Sequence, residues 1–199
     1  MNFLAHLYLS GNNDFIKIGN FMADGIRGKD YKNYPKRVQL GVLLHRAIDT
    51  FTDNHTIFRQ GKHRLHERYH HYSGVLMDMY YDHFLAKNWH HYHAQPLEKY
   101  AAEFYQLLHQ NESILSPRTL KMLSPMENNN WLVQYASLEG LKNILAQMDH
   151  RSKYQSGMSN GVEELLDFYE DYHNEFTFFF EDMILYCQNW MLEHNEESP

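Results

Sequence analysis

The stretch from residue 40 to residue 54 carries the pattern that most restricts how this chain can fold. Its apolar residues recur at intervals of three and four, which is typical of an amphipathic helix: Leu40, Leu44, Ala47 and Phe51. His45 and Asp49 are four residues apart, so they project from one side of that helix, nearly opposite the apolar stripe. Asp53 lies one further turn along. An imidazole and two carboxylates in this row can hold a divalent ion, and a solvated polar face is the alternative interpretation.

A second informative segment, residues 73–89, is apolar nearly all round and is therefore predicted to be a buried helix. Asp78 and Asp82 interrupt it and lie four residues apart on one side. Because a buried carboxylate is costly unless it is paired or bound to a metal, we interpret the two aspartates as part of a site. His83 follows directly and points about 100° away around the helix axis.

Composition favours a helical chain and excludes several classes of protein. Glycine (10) and proline (5) are scarce among 199 residues, so the segments between breaks are long, which favours an all-α fold. We predict a single helical domain over residues 1–195 and a frayed tail over 196–199. The single cysteine excludes an internal disulfide and a cysteine-based zinc site. The net charge of -7 argues against general nucleic-acid binding.

The sequence also predicts where such a protein works. The N-terminus lacks a basic region followed by a long apolar run, which a signal peptide would require. No stretch approaches the roughly 20 apolar residues of a membrane span. We therefore expect a cytoplasmic protein that does not bind membranes.

Two more residues belong to the candidate site. His6 lies among apolar residues, where a hydrogen-bonded core histidine is the commoner explanation. Asp24 closes a helix predicted over residues 14–25, and a carboxylate at a helix C-terminus opposes the macrodipole, so a cation or Arg27 should compensate it. The complete set of candidate ligands is His6, Asp24, His45, Asp49, Asp78, Asp82 and His83. Such a set, without cysteine, suits Mn²⁺, Mg²⁺ or Fe²⁺ better than structural zinc and indicates hydrolysis of a phosphate ester.

Four motifs occur in order along the first half of the chain. They are Asn-Phe-Leu-Ala-His-Leu at 2–7, Gly-Asn-x-x-Ala-Asp-x-x-Arg-Gly at 19–28, His-Arg-x-Ile-Asp-x-x-Thr-Asp at 45–53 and Asp-x-x-x-Asp-His-Phe-Leu-x-x-x-Trp at 78–89. In their order and spacing, these motifs resemble the bacterial acyl carrier protein phosphodiesterases. The segment Trp131-Leu132-Val133-x-Tyr135 is also similar to that family.

The resemblance implies an all-helical fold distantly related to the HD phosphohydrolases. It implies removal of the 4′-phosphopantetheine arm from holo acyl carrier protein, which leaves apo carrier protein, with Mn²⁺ or Mg²⁺ as the cofactor. The seven candidate ligands map onto motif positions of the family, and the residues we expect to be catalytic are Asp24, His45, Asp49 and Asp82. The chain has His-Arg at 45–46 and Asp-His at 82–83, and neither is a plain His-Asp doublet.

Basic residues supply the predicted substrate contacts. Arg27 or Arg46 can bind the substrate phosphate bidentately, and a structural salt bridge is the alternative role for both. The segments 27–37 and 59–71 are locally basic in an acidic chain. We expect both segments, including Lys36 and Arg37, to receive an acidic carrier protein.

Two other functions compete with this interpretation. The first is a metal-dependent phosphohydrolase for a nucleotide or another small phosphoester, which would need only a pocket and no basic surface. The second is a helical interaction module without turnover. That module would explain the aromatic-rich helices but not the carboxylates Asp78 and Asp82.

Overall fold

The computed structural model describes residues 1–153 and 155–195, so the tail predicted at 196–199 lies outside the described residues. Within the described ranges the chain forms α-helices and short 3₁₀ turns and no strand, which confirms the predicted all-α class. The helices are α1 (Phe3–Leu9), α2 (Asp14–Met22), α3 (Lys36–Asn54), α4 (Thr56–Tyr69), α5 (Ser73–Lys87), α6 (Trp89–Tyr92), α7 (Leu97–Gln110), α8 (Pro117–Asn128), α9 (Trp131–Gln134), α10 (Leu138–Arg151), α11 (Gly161–Asp167) and α12 (Tyr169–Asn195). No helix in this part of the chain combines the length and apolar character that a bilayer crossing requires.

The helix boundaries refine the sequence prediction at two places. The helix expected over 14–25 ends at Met22, and a 3₁₀ turn over Ala23–Gly25 follows it and carries Asp24. The segment 162–194, which the sequence pattern allows as one long helix or as a helix pair, is a pair, because the chain turns at Phe168 between α11 and α12.

Two glycines allow α2 and α3 to pack backbone against backbone. A Cβ at Gly19 would overlap the carbonyl oxygen of Val38, and a Cβ at Gly41 would overlap the carbonyl oxygen of Ile16. Only glycine permits this approach, since any larger residue would force the two helices apart. The close contact brings Asn20 of α2 within hydrogen-bond distance of a residue near the middle of α3.

His45 on α3 is buried, although the sequence pattern placed it opposite the apolar stripe. His45 is only 8% exposed, because its ring stacks on the ring of His6 in α1 with 4.1 Å between centroids. Ala47 and Phe51, which belong to the predicted stripe, are half-buried. Helix α3 is therefore covered from two sides.

Helix α5 is buried nearly all round, as predicted, and two of its carboxylates fix the start of α1. Asp82 is completely buried and accepts hydrogen bonds from the backbone amides of Asn2 (3.3 Å), Leu4 (2.8 Å) and Ala5 (3.3 Å). Asp78 accepts one from the amine of Met1 at 2.7 Å. Burial raises the pKa of Asp82 to about 7 against the opposing effect of these donors. A carboxylate at a helix N-terminus is also stabilised by the helix dipole.

The close approach of α2 and α3 predicts that Gly41→Ala is destabilising. The added methyl group must displace backbone atoms of α2, so we expect the free energy of unfolding to fall by about 2–3 kcal/mol. Urea unfolding followed by circular dichroism measures this change. The control is Gly74→Ala in α5, where a Cβ would meet nothing closer than 3.6 Å. Gly74→Ala should leave the free energy of unfolding unchanged or raise it by up to ~1 kcal/mol. If both variants lost the same free energy of unfolding, the packing argument would be contradicted.

Candidate metal centre

The first three helices and the turn after α2 bring four titratable side chains together. His6 comes from α1, Asp24 from the turn, and His45 and Asp49 from α3. Nitrogen and oxygen atoms of His6, His45 and Asp49 all lie within 4.8 Å of one another, which is a group that could hold a metal ion. Asp24 joins this group, since its Oδ1 lies 3.3 Å from Nε2 of His45.

Asn20 determines how the two imidazoles are oriented. Its Nδ2 donates to the carbonyl oxygen of His6 (3.0 Å) and to Oγ of Ser10 (2.9 Å), so its Oδ1 must be the atom that faces the two rings. This oxygen lies 2.8 Å from Nδ1 of His6 and 3.1 Å from Nδ1 of His45. Because an amide oxygen only accepts hydrogen bonds, both Nδ1 atoms carry hydrogen, and each neutral ring then presents a lone pair on Nε2.

The carboxylate of Asp49 lies between the two Nε2 atoms. Its Oδ1 is 3.4 Å from Nε2 of His6 and its Oδ2 is 3.2 Å from Nε2 of His45. The helical spacing of four residues places Asp49 directly above His45 on α3. The two imidazoles and the carboxylates of Asp24 and Asp49 thus direct their donor atoms towards one small volume.

The two histidines have opposite pKa shifts. Burial, together with the charge of His45, lowers the pKa of His6 to about 4. Burial would also lower the pKa of His45, but hydrogen bonds to Asp24 and Asp49 outweigh it and raise the pKa to about 9. The pKa of the Asp49 carboxyl lies well below its ordinary value because the hydrogen bond and charge of His45, with the nearby ring of His6, outweigh the effect of burial. Without an ion, His45 is therefore an imidazolium, and its Nε2–H faces the carboxylates of Asp24 and Asp49.

The donor set fits a divalent cation. Each imidazole presents Nε2, while its Nδ1 is already hydrogen-bonded to Asn20, and carboxylates lie beside both rings. Histidines that bind metals in proteins are usually held in this way. The donors are nitrogen and oxygen, without a thiolate, and the one cysteine, Cys187, is buried in α12. This combination suits hard or borderline ions. The structure supports a metal site here without identifying the metal.

The cluster opens into a cleft of about 780 Å³ between the first three helices and α8–α10. Two cationic residues line it. Arg118 of α8 donates to the carbonyl oxygen of Asp24 at 3.3 Å, and its guanidinium lies 4.0 Å from that residue's carboxylate. Arg151 lies over the ring of Trp131 at 6.0 Å. The lining also includes large apolar side chains from α8–α10 and the turn that follows: Met122, Trp131, Ile144, Met148 and Met158.

Three of the predicted ligands have other partners. Asp78 lines the cleft but is bonded to the Met1 amine, and Asp82 is enclosed by the backbone amides of α1. His83 has its Nδ1 2.7 Å from the carbonyl oxygen of Tyr135 and its Nε2 2.8 Å from the hydroxyl of Tyr169. The structure thus brings together His6, Asp24, His45 and Asp49, but not these three.

The predicted basic residues contribute no side chain to the lining of the cleft. Arg27 is exposed, and Arg46 donates to the carbonyl oxygen of Ile26 at 3.2 Å. Lys36 and Arg37 begin α3, twelve or more residues before Asp49, which corresponds to about 18 Å along the axis. None of these four residues lines the cleft.

Sequence reasoning missed three residues of the site. Asn20 follows Gly19 at the start of the motif at 19–28, and this position was the sequence signal that could have identified it as a site residue. Arg118 and Arg151 had no signal, because nothing in the sequence shows that α8 and α10 cover the first three helices.

Comparisons with known proteins agree with this geometry. The sequence model of the family described as acyl carrier protein phosphodiesterase matches residues 1–183. A protein of that name from Photorhabdus laumondii is 31% identical over 192 residues, which cover 95% of this chain and 96% of the relative. Another from Enterobacter is 27% identical over 197 residues, covering 96% of this chain and 100% of the relative. No solved structure matches the chain.

The orientation of the imidazoles predicts a role for Asn20 in metal binding. Asn20→Ala removes the acceptor for both Nδ1–H groups, so we expect Mn²⁺ to bind about 10–100-fold more weakly. Titration calorimetry measures the affinity, and circular dichroism verifies that the variant is folded. The control is Asn12→Ala at an exposed position. Wild-type affinity in a folded Asn20→Ala variant would refute the orienting role.

Proposed function

The chain belongs to the acyl carrier protein phosphodiesterase family, and we propose that it hydrolyses the phosphodiester of holo acyl carrier protein. The products are apo carrier protein with a free serine and 4′-phosphopantetheine. The observation that carries this proposal is the cluster of two histidines and two aspartates at the base of a cleft with an arginine beside it. An acidic protein substrate with a long, uncharged arm suits a cleft of this kind.

We propose that Mn²⁺ or Mg²⁺ is held by His6, His45, Asp49 and Asp24. An ion bound there would lower the pKa of a coordinated water and stabilise charge on the phosphoryl oxygens. The chain's own contribution is the rigid placement of the donors. Asn20 orients both imidazoles, and the amide contacts of Asp82 fix the helix that carries His6.

Arg118 is placed to bind the phosphate of the substrate. Its side chain is 57% exposed and lies beside Asp24, so a phosphate that contacts this guanidinium lies at the edge of the cluster. A planar guanidinium binds two phosphate oxygens at once, which fixes the orientation of the phosphorus atom. The apolar side chains around Trp131 and Met148 then receive the carbon chain of the arm.

The carrier protein needs a basic surface next to the cleft, and α4 offers one. Lys62 and His63 each lie three or four residues from both Arg59 and His66, so the four side chains share one side of α4, and they line one groove together with Asp53. Asp53 also lines the cleft, so the groove and the cleft share a border. Arg59 and Lys62 make no ion pair within the described ranges. We propose this groove as the docking surface for an acidic carrier protein.

The cluster predicts that Asp49→Asn removes most of the activity. The substitution keeps the shape of the side chain but removes a charged donor, so turnover of holo carrier protein with Mn²⁺ should fall by ~100-fold or more. Intact-mass measurement of the carrier protein follows the loss of the arm. The control Asp30→Asn replaces an exposed aspartate. Wild-type turnover by Asp49→Asn would reject the site.

The same assay separates the two possible substrate classes. A free phosphopantetheine diester lacks the carrier protein that positions the arm and should react far more slowly than the holo protein. Equal kcat/KM values for the two substrates would favour the small-phosphoester alternative.

The groove on α4 predicts that reversing its charges weakens docking. The double variant Arg59→Glu and Lys62→Glu should raise KM for holo carrier protein by about tenfold and change kcat less, since the cluster is untouched. The effect should shrink at high salt, because charges are screened over ~8 Å at physiological ionic strength. The comparison variant is Lys36→Glu with Arg37→Glu, at the far end of α3. A larger KM effect there would place docking on segment 27–37 instead.

A further inference from the structure

Helix α12 exposes a line of three large apolar side chains. Phe178, Leu185 and Leu192 are 63%, 59% and 70% exposed. They are seven residues apart, and seven residues turn an α-helix by 20° less than two full turns, so the three side chains form one nearly straight row. None of them lines the cleft that holds the histidine and aspartate cluster. An aligned apolar row on a soluble helix indicates a contact surface rather than scattered exposure.

The polar residues beside the row are negatively charged before Leu185 and uncharged after it. Before Leu185 stand two carboxylates, Glu181 and Asp182, and after it stand two carboxamides, Gln188 and Asn189. All four are exposed. On a helical projection with Leu185 at 0°, Glu181 and Gln188 fall on one side of the row, and Asp182 and Asn189 fall on the other.

We propose that this row is the interface with a second copy of the chain, paired antiparallel about a two-fold axis at Leu185. The axis places Leu185 against its own copy and Phe178 against Leu192, so all three apolar residues become covered. It also places Glu181 opposite Gln188 and Asp182 opposite Asn189. Each carboxylate then faces a carboxamide that can donate a hydrogen bond, which is the self-complementarity that a two-fold interface needs.

The same residues disfavour two other occupants of this surface, a parallel copy of the chain and an acidic carrier protein. A parallel pair would place Glu181 opposite Asp182 of the other copy, and like charges across an interface repel. The carboxylates also disfavour an acidic carrier protein on this face. One carboxylate has a partner already, since Oδ2 of Asp182 lies 3.2 Å from Nε2 of His55, and its Oδ1 stays available.

The contact is limited to one helix of each copy. Stable interfaces bury about 800 Å² on each partner, and a single row of three apolar side chains covers less than that. The association is therefore weak and depends on protein concentration. Because the row does not border the cleft, both active sites of the pair stay open to substrate.

Sedimentation velocity over a concentration series tests the proposal on the intact chain. The wild-type protein should shift towards the mass of a dimer as concentration rises. Leu185→Glu places two carboxylates at the two-fold axis and should raise the dimer Kd at least tenfold. A tenfold change corresponds to about 1.4 kcal/mol of association free energy. The matched control is Leu166→Glu in α11, which is 52% exposed and lies outside the row. A protein that stays monomeric throughout would overturn the proposal.

Charge substitutions at Gln188 test the direction of pairing. In the antiparallel pair, Gln188→Lys faces Glu181 and should tighten the association, and Gln188→Glu should weaken it by a similar factor. In a parallel pair Gln188 would face Asn189, so neither change would have this effect. Opposite responses to the two substitutions support the antiparallel pair, and equal responses overturn it. A higher KM for carrier protein in Leu185→Glu, without any change in sedimentation, would assign the row to the substrate and also overturn the proposal.

Discussion

The side-chain amide of Asn20 is the contact on which the site depends. One oxygen accepts from the Nδ1 atoms of His6 and His45, and the nitrogen of the same amide donates to the backbone of α1. A buried amide that satisfies all of its hydrogen bonds in this way fixes three helices relative to one another. The arrangement requires α2 and α3 to lie unusually close, and Gly19 and Gly41 permit that approach. Fold and chemistry therefore share one small set of residues.

The fold was largely predictable from the sequence because helical patterns are local. Sparse glycine and proline predicted long helices, and the apolar surroundings of Asp78 and Asp82 correctly predicted a buried helix. The same reasoning showed that these carboxylates need compensation, but it could not tell which partner supplies it. In the structure the amides of α1 surround Asp82 and the Met1 amine contacts Asp78, so a second helix provides what a bound ion would otherwise provide.

The site was predictable only where its residues share a helix or carry a local sequence signal. His45 and Asp49 are four residues apart, so their proximity follows from helix geometry alone. His6 and Asp24 entered the prediction through their local sequence, an apolar segment and a helix end, and the structure places both beside His45. Arg118 is more than ninety residues from Asp24 in sequence, and only the packing of α8 on the turn after α2 brings the two together. Contacts of that kind depend on tertiary packing, which periodicity does not encode.

Ion pairs divide the basic residues of α4 into those compensated within the fold and those that form the proposed docking groove. The segment 163–182 contains eight acidic residues and no lysine or arginine. Two of those acids, Glu164 and Glu175, pair with Arg68 and Arg64 of α4, at 3.0 Å and 2.6 Å. These arginines are compensated by ion pairs with α11 and α12, whereas Arg59 and Lys62, which line the groove beside the cleft, have no ion pair among the described residues. A chain with a net charge of -7 can therefore still offer a basic groove to its proposed substrate, since the eight acids of segment 163–182 lie on α11 and α12 and two of these neutralise Arg68 and Arg64 rather than Arg59 or Lys62.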